Sequence, residues 1–225
     1  MRPCSGRLAS CVVEKRFNAR YGANMPSRDP WMTSKDLGRG VVKSYTGHLL
    51  VALPTLRDPH FERTVVFLLA HESDGALGVV LNRPTGVGVS EVLPGWETLV
   101  SGPQVLFEGG PVGADSAICV ARAKAGVAGF LGYSRVIGQV GTIDLSHEPS
   151  KIGDKLEYVR VYHGYAGWGA GQLEKEIAEG SWFVFSALPS DPFLSQPEDL
   201  WQMVLRRQGG LTAAVAHFPP DPHLN

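Results

Sequence analysis

His48 to Leu53 (HLLVAL) and Thr64 to Ala70 (TVVFLLA) are nearly continuous in apolar residues, and Pro54, Pro59 and Gly75 bound them. Short apolar runs without polar alternation read as strands buried on both faces, so both belong in the centre of a sheet. Ala76 to Leu81 follows Ser73-Asp74-Gly75, a turn sequence in which glycine takes a positive φ without a Cβ clash. Residues 64–81 are therefore expected to form a hairpin.

Further short strands are expected at Val105–Phe107 and Ala117–Ala121, separated by Gly109-Gly110-Pro111, and at Val140–Leu145. From Lys155 to Tyr162, Leu156, Tyr158, Arg160 and Tyr162 alternate with Glu157, Val159 and Val161, the pattern of a half-buried strand. Gln172 to Glu179 is built of strong helix formers and ends at Gly180. A second helix is expected over 196–208. Ser195 and Glu198 form a capping-box pattern, Leu200, Trp201, Val204 and Leu205 make one stripe, Arg206-Arg207 suit the C-terminal end, and Gly209-Gly210 mark the stop. Many short strands with two late helices do not give β-α-β alternation. The expected class is α+β, a single compact domain with a mixed sheet of short strands and a few flanking helices.

The chain is 44% hydrophobic with five Trp, enough to fill a core. Its net charge of −1 hides an asymmetry: residues 1–43 hold nine Lys/Arg against three Asp/Glu, leaving twelve against nineteen from residue 44 onward. A body of net −7 lacks the basic footprint that neutralises phosphates, so DNA is not an expected partner. Cys4, Cys11 and Cys119 show no metal or redox spacing and suggest a reducing compartment. No run reaches the ~18 apolar residues of a membrane span, and no secretory h-region opens the chain, so a cytoplasmic protein with no membrane association is expected. Residues 1–44 read as a basic, disordered extension: a flexible arm, a transit-like segment, or upstream sequence ahead of a start at Met25 or Met32. The domain is expected over 45–217, with a flexible tail at 218–225.

Three segments together resemble the YqgE/AlgH family. The first runs from Gly47 to Pro54 and on through Leu56, Asp58-Pro59, Phe61, Arg63 and Thr64-Val65-Val66. The second joins His71, Gly75-Ala76, Gly78 and Leu81-Asn82-Arg83-Pro84 to Gly109-Gly110-Pro111-Val112. The third is Gly164-Tyr165-Ala166-Gly167-Trp168, then Gly171-Gln172-Leu173-Glu174, Glu176, Gly180 and Trp182. The resemblance covers about residues 46–207 and implies a compact α+β fold with no established enzymatic activity, under a transcriptional-regulator label. Many relatives carry Cys-Glu-His where this chain has Leu69-Ala70-His71. Thiol chemistry there is excluded, and Cys119, in an apolar strand, does not replace it.

Two clusters could bind a ligand. Gly164, Tyr165, Gly167, Trp168, Gly171 and Gln172 read as strand, glycine-rich turn and helix start, a cradle for phosphate or carboxylate; the structural alternative is a tight junction. The cradle is neither a P-loop nor G-x-G-x-x-G, and no cofactor or metal is expected. Asp58, Arg63, Asn82, Arg83, Gly109 and Gly110 flank the central strands; if the hairpin forms, Arg63 and Asn82-Arg83 share one end, and two guanidinium groups would suit an oxyanion. The alternative is an Arg–Asp pair tying a loop to the sheet. His71, His163 and Glu174 lack catalytic spacing, so no catalytic residue is assigned. Trp168, Trp182 and Trp201 suit packing, whereas Trp31 and Trp96 become partner contacts if exposed. The expected function is a non-enzymatic regulatory or adaptor domain binding a protein or small anionic ligand. A DNA-binding regulator and an enzyme of unrecognised type are the alternatives.

Overall fold

The computed structural model describes residues 44–219. The expected extension therefore lies outside the described residues except for Ser44, as do Cys4, Cys11, Trp31 and the tail beyond Pro219.

Ten strands dominate: β1 (His48–Ala52), β2 (Val65–Glu72), β3 (Gly75–Val80), β4 (Pro84–Gly88), β5 (Val105–Glu108), β6 (Val112–Ala123), β7 (Tyr133–Ile137), β8 (Val140–Ile143), β9 (Leu156–Gly169) and β10 (Trp182–Ser186). Five short helices accompany them: α1 (Val89–Val92), α2 (Pro149–Ile152), α3 (Gln172–Ala178), α4 (Leu200–Arg206) and α5 (Gly210–Val215). The sheet order is β10-β1-β2-β3-β9-β6-β8-β7, with β5 joined to β4 and β9 off this path. The β5–β9 pairing is parallel and the other described pairings are antiparallel, which makes the sheet mixed but mostly antiparallel.

The hairpin forms as β2 and β3, with Glu72 opposite Gly75. The strand expected to end at Tyr162 instead continues to Gly169, and it is not half-buried. Val159 through Tyr162 are fully buried, because β6 pairs along one edge, Ser101 bonds Val159 and β5 pairs with Tyr162 along the other, and a core lies on each face. Gly164 makes the long strand possible. Its φ is +65, and at this point the β6–β9 register shifts between the pairs Ala117–His163 and Val112–Tyr165. The bulge turns Tyr165 toward the same core as Tyr162, three residues earlier, and sends Ala166 and Trp168 to the opposite face.

The sheet curls until Ile137 of β7 meets the turn before β1. A Cβ on Gly47 would lie 2.8 Å from the Ile137 Cβ. Inside the curl, Leu49, Val51, Phe67, Val79, Val120 and Tyr162 pack against Leu200, Trp201, Val204 and Leu205 of α4. Trp201 Nε1 donates to Ala52 O at 2.8 Å, so the helix stripe is hydrogen-bonded to β1 as well as packed against it. Outside the curl are two smaller cores. Leu173 of α3 covers the β1–β3 side, while Val89, Trp96, Val100 and Ile152 cover the β6–β9 side. Trp96, which would have been a candidate partner contact had it been exposed, is 3% exposed and is core.

The helix expected over 196–208 begins later, as a 3-10 turn at Pro197–Asp199 followed by α4, and the Ser195/Glu198 capping box does not form. The helix stops as expected, α4 ending at Arg206 ahead of Gly209 at φ +74, but Gly210 opens a further helix, α5. The α3 stop is as expected: Gly180 has φ +80, Gly180 N donates to Ile177 O, and Ser181 N donates to Glu176 O, a Schellman closure.

Gly110, at φ +146, would drive a Cβ into the Tyr165 main chain. Gly110→Ala is expected to cost about 3 kcal/mol or more, combining a forbidden φ with backbone overlap. Urea unfolding monitored by tryptophan fluorescence measures this, and the solvent-facing Gly86→Ala, with nothing within 4 Å of its Cβ, serves as the near-neutral control.

Candidate functional site

The glycine-rich segment does not form a turn around an open cradle. Gly164 and Gly167 lie within β9, Gly109, Gly110 and Gly164 approach one another's backbones, and only Ala170-Gly171 connect to α3. Gly171, at φ +71, is the N-cap residue of a helix seven residues long.

The polar residues of this segment hold one another. Gln172 Oε1 accepts from Gly169 N at 3.1 Å, and its Nε2 donates one helical turn on to Glu176 Oε1 at 3.0 Å. Glu176 Oε2 accepts from the indoles of both Trp168 and Trp182, each at 2.9 Å. Those two buried rings meet edge to face, 6.1 Å apart, with Phe61 against both. One carboxylate thus satisfies two buried donors that would otherwise face an apolar core.

Glu174 reaches a different partner. His71, 3% exposed at the end of β2, has Nε2 2.8 Å from Glu174 Oε1 and Nδ1 3.0 Å from Tyr45 N. A backbone N–H can only donate, so Nδ1 accepts and the ring proton sits on Nε2, donating to Glu174. Thr46 Oγ1 accepts from His71 N, Ser44 Oγ donates to His71 O, and the Tyr45 ring stacks on the imidazole at 5.4 Å. His71 therefore pins residues 44–46 to β2 and α3. His163 lies inside β9, and its carbonyl accepts from Gly109 N.

At the other end of the hairpin, Arg63, Asn82 and Arg83 come together. Asn82 brackets the entry to β2, accepting from Val65 N and donating to Arg63 O. Arg83 donates to Glu62 O at 2.8 Å. Arg63 has φ +53, the one positive value at a non-glycine described residue; its guanidinium stacks 4.6 Å over Trp201 and donates to Phe218 O. Burial lowers its pKa, and Glu62 partly counters this. Asp58 joins neither arginine: its Oδ1 accepts from His60 N in its own turn. The Arg–Asp tie expected here is replaced by guanidinium-to-carbonyl bonds, one of which holds Phe218 of the expected tail.

Several polar anchors had no local signal. Arg160 is completely buried, its guanidinium 4.3 Å over Phe107, with Nη1 donating to Leu194 O and Nη2 to Gly102 O. Burial pulls its pKa down, with Tyr162 and Glu198 acting the other way. Asp191 and Arg207 form a two-pronged pair at 2.7 and 2.8 Å, and Arg207 also reaches Ser186 O. The Gln172–Glu176 contact alone was readable, as an i,i+4 helix pair.

One edge of the sheet is open. Leu53 N donates to Ser181 O, so the main chains of Phe183 and Phe185 face β1 by alternation, and those of Trp182 and Val184 face outward. No partner for those outward groups is found among the described residues. Beside them is an open depression of about 460 Å³ lined by Tyr45, His48, Ile177 and residues 182–186. Among the described residues no cluster of His, Cys, Asp and Glu could hold a metal ion, and no helix is long and apolar enough to cross a membrane.

A family profile described as AlgH-like matches residues 49–213. A UPF0301 protein of Streptomyces avermitilis is 50% identical over 84% of this chain and 99% of its own length. One from Thermobifida fusca is 48% identical over 81% and 96%. Among solved structures, a Corynebacterium diphtheriae protein superposes with a TM-score of 0.74 at 30% identity, covering 91% of this chain and 98% of its own. The AlgH protein of Pseudomonas aeruginosa gives 0.56 at 26%, covering 87% and 99%.

Two measurements probe these contacts. Glu176→Leu leaves both indole N–H groups buried without an acceptor and is expected to cost about 2–4 kcal/mol in urea unfolding, while Glu176→Gln, which keeps an acceptor oxygen, costs less. Burial pushes the Cys119 thiol well above its ordinary range. A raised folded-state pKa stabilises the fold fully below the unfolded value, and the contribution is lost as pH rises because only the unfolded chain ionises. Stability is therefore expected to fall from about pH 8.5 upward, by at most about 1.4 kcal/mol per pH unit from this group. Cys119→Ala flattens that slope in urea titrations under reducing conditions.

Proposed function

We propose that this chain, which belongs to the AlgH-like family, is a non-enzymatic binding domain whose partner is another protein. The observation that carries this reading is the contrast between occupied side chains and an unoccupied edge. Gln172, Glu174 and Glu176 are bonded to Gly169, His71 and two indoles, and Arg63 and Arg83 to main-chain carbonyls. Each arginine is tied to a different main-chain carbonyl, which orients its guanidinium but spends only one of its five N–H donors, so a small anion is the alternative that the experiment below tests. The main chain of β10, by contrast, offers donors and acceptors directly to solvent.

The His71–Glu174 contact favours a second reading, an acid–base pair in an enzyme. Against it, Nε2 is spent on Glu174 and Nδ1 on Tyr45, so the buried ring has no nitrogen left to meet a substrate. Direct DNA binding would have to draw on the nine Lys/Arg of residues 1–43, since the rest of the chain is acidic.

Capture from native cells on the immobilised full chain, read by mass spectrometry, tests the proposal against the anion alternative. A stoichiometric protein retained by both wild type and the Arg63→Ala/Arg83→Ala variant is expected, with no saturable heat when inorganic phosphate is titrated calorimetrically. Saturable phosphate binding that the double variant loses overturns the reading in favour of a small-anion site.

A further inference from the structure

We infer that the outer edge of β10 receives an extended basic segment of another protein as an added strand, with the depression beside it taking that segment's apolar side chains. This rests on the protein-binding reading and names its surface and the chemistry of its partner.

The main chain supplies the first reason. Trp182 and Val184 present N–H and C=O outward at alternate positions, the spacing a partner strand needs to continue the ladder. Ser186 O, the next outward carbonyl, is taken by Arg207, which in turn is held by Asp191. The free ladder is therefore bounded at one end by a fixed ion pair. The two edges of the sheet are also treated differently. β7 carries Arg135, and its Ile137 packs against Gly47, whereas Trp182-Phe183-Val184-Phe185-Ser186 contains no charge and no proline, the usual devices against strand addition.

Side-chain chemistry selects the partner. Tyr45, Ile177 and Val184 place apolar side chains at the depression, but beside His48 and the polar main chain of β10 its exposed surface is more polar than apolar, so an added strand meets a mixed surface with room for an apolar residue at alternate positions. Ile177 belongs to α3, and that helix with its C-cap carries Glu174, Glu176 and Glu179 against the single Lys175. The Glu174 and Glu179 side chains are 41% and 58% exposed. Glu179 pairs with Lys175 at 3.7 Å and Glu176 is taken by the indoles, so the exposed Glu174, bonded to a histidine that carries its one ring proton on Nε2, leaves the helix with an acidic excess that favours Lys and Arg at the remaining positions of the partner, in keeping with the acidic excess from residue 44 onward.

The test uses the full chain and a short labelled peptide alternating Lys and Val, followed by fluorescence anisotropy. Its arms are an alternating Glu/Val peptide and a Lys/Val peptide N-methylated at alternate residues, which cannot complete a ladder. Saturable binding of the Lys/Val peptide is expected, at least about tenfold weaker for either control and reduced by added salt. In the protein, Val184→Pro removes one outward N–H while leaving the β1-facing bonds of Phe183 and Phe185, and is expected to weaken binding about tenfold or more. If that variant fails to fold, the N-methylated peptide still decides the question. Equal binding of the methylated peptide, or none of the Lys/Val peptide, overturns the inference. So does a mass that doubles with concentration in sedimentation and returns to monomer in Val184→Pro, which assigns the edge to a second copy. A captured cellular protein that Val184→Pro still retains moves the docking surface off β10 while leaving the binding-domain reading in place.

Discussion

A strand paired on both edges and covered on both faces has no water to satisfy its backbone, so each of its groups needs a protein partner. β9 is in this position at Tyr162, between β6 and β5, with Ser101 closing the second edge at Val159, and its second half passes on to pair with β3. One strand thus serves both halves of the sheet. That continuity depends on Gly164, where a positive φ and the close approach of Gly110 leave no room for a Cβ. Without the bulge the alternation would run unbroken through residue 169, and Trp168 would point into the interior of the curl and away from Glu176.

The polar residues around this strand mostly serve to make burial tolerable. Arg160 is placed among apolar side chains with two carbonyls and an aromatic face as partners, an arrangement that costs less than an unpaired charge and leaves only Nε without an acceptor. Glu176 does the same for two indoles, and Asn82 for the entry to β2. The side chains most suggestive of chemistry are thus part of the structure's internal hydrogen bonding, and the open main-chain groups lie on β10, which holds none of them.

Much of the fold was legible in short apolar runs and punctuation. β1, the β2–β3 hairpin and α3 with its glycine stop follow from residues within one element and its flanks, where local sterics decide the outcome. The strand through Arg160 was readable as a strand but not as a central one, because an arginine in an alternating pattern suggests a solvent face. Only the arrival of Leu194, Gly102 and Phe107 from distant segments reverses that. The capping box at Ser195 does not form because the helical structure starts as a 3-10 turn at Pro197 with Gln196 at its N-cap position, which puts Ser195 and Glu198 out of register with the N-cap and N3 positions that the box requires.

For the candidate site, the sequence alone determined which residues cluster along the chain and that Arg63 and Asn82-Arg83 share one end of a hairpin, since two strands joined by the short Ser73-Asp74-Gly75 turn must return to the end they started from. What those residues are bonded to was decided only by the tertiary structure. Asp58 turned to its own loop, Arg63 to Trp201 and the Phe218 carbonyl, and Glu174 to a histidine more than a hundred positions away. A hydrogen bond is a property of two groups brought within about 3 Å, and sequence spacing fixes that distance only inside a single turn, helix or hairpin. The open edge of β10 is of the same kind. Whether a strand is central or terminal depends on how many others come to lie beside it, and its own five residues do not contain that number.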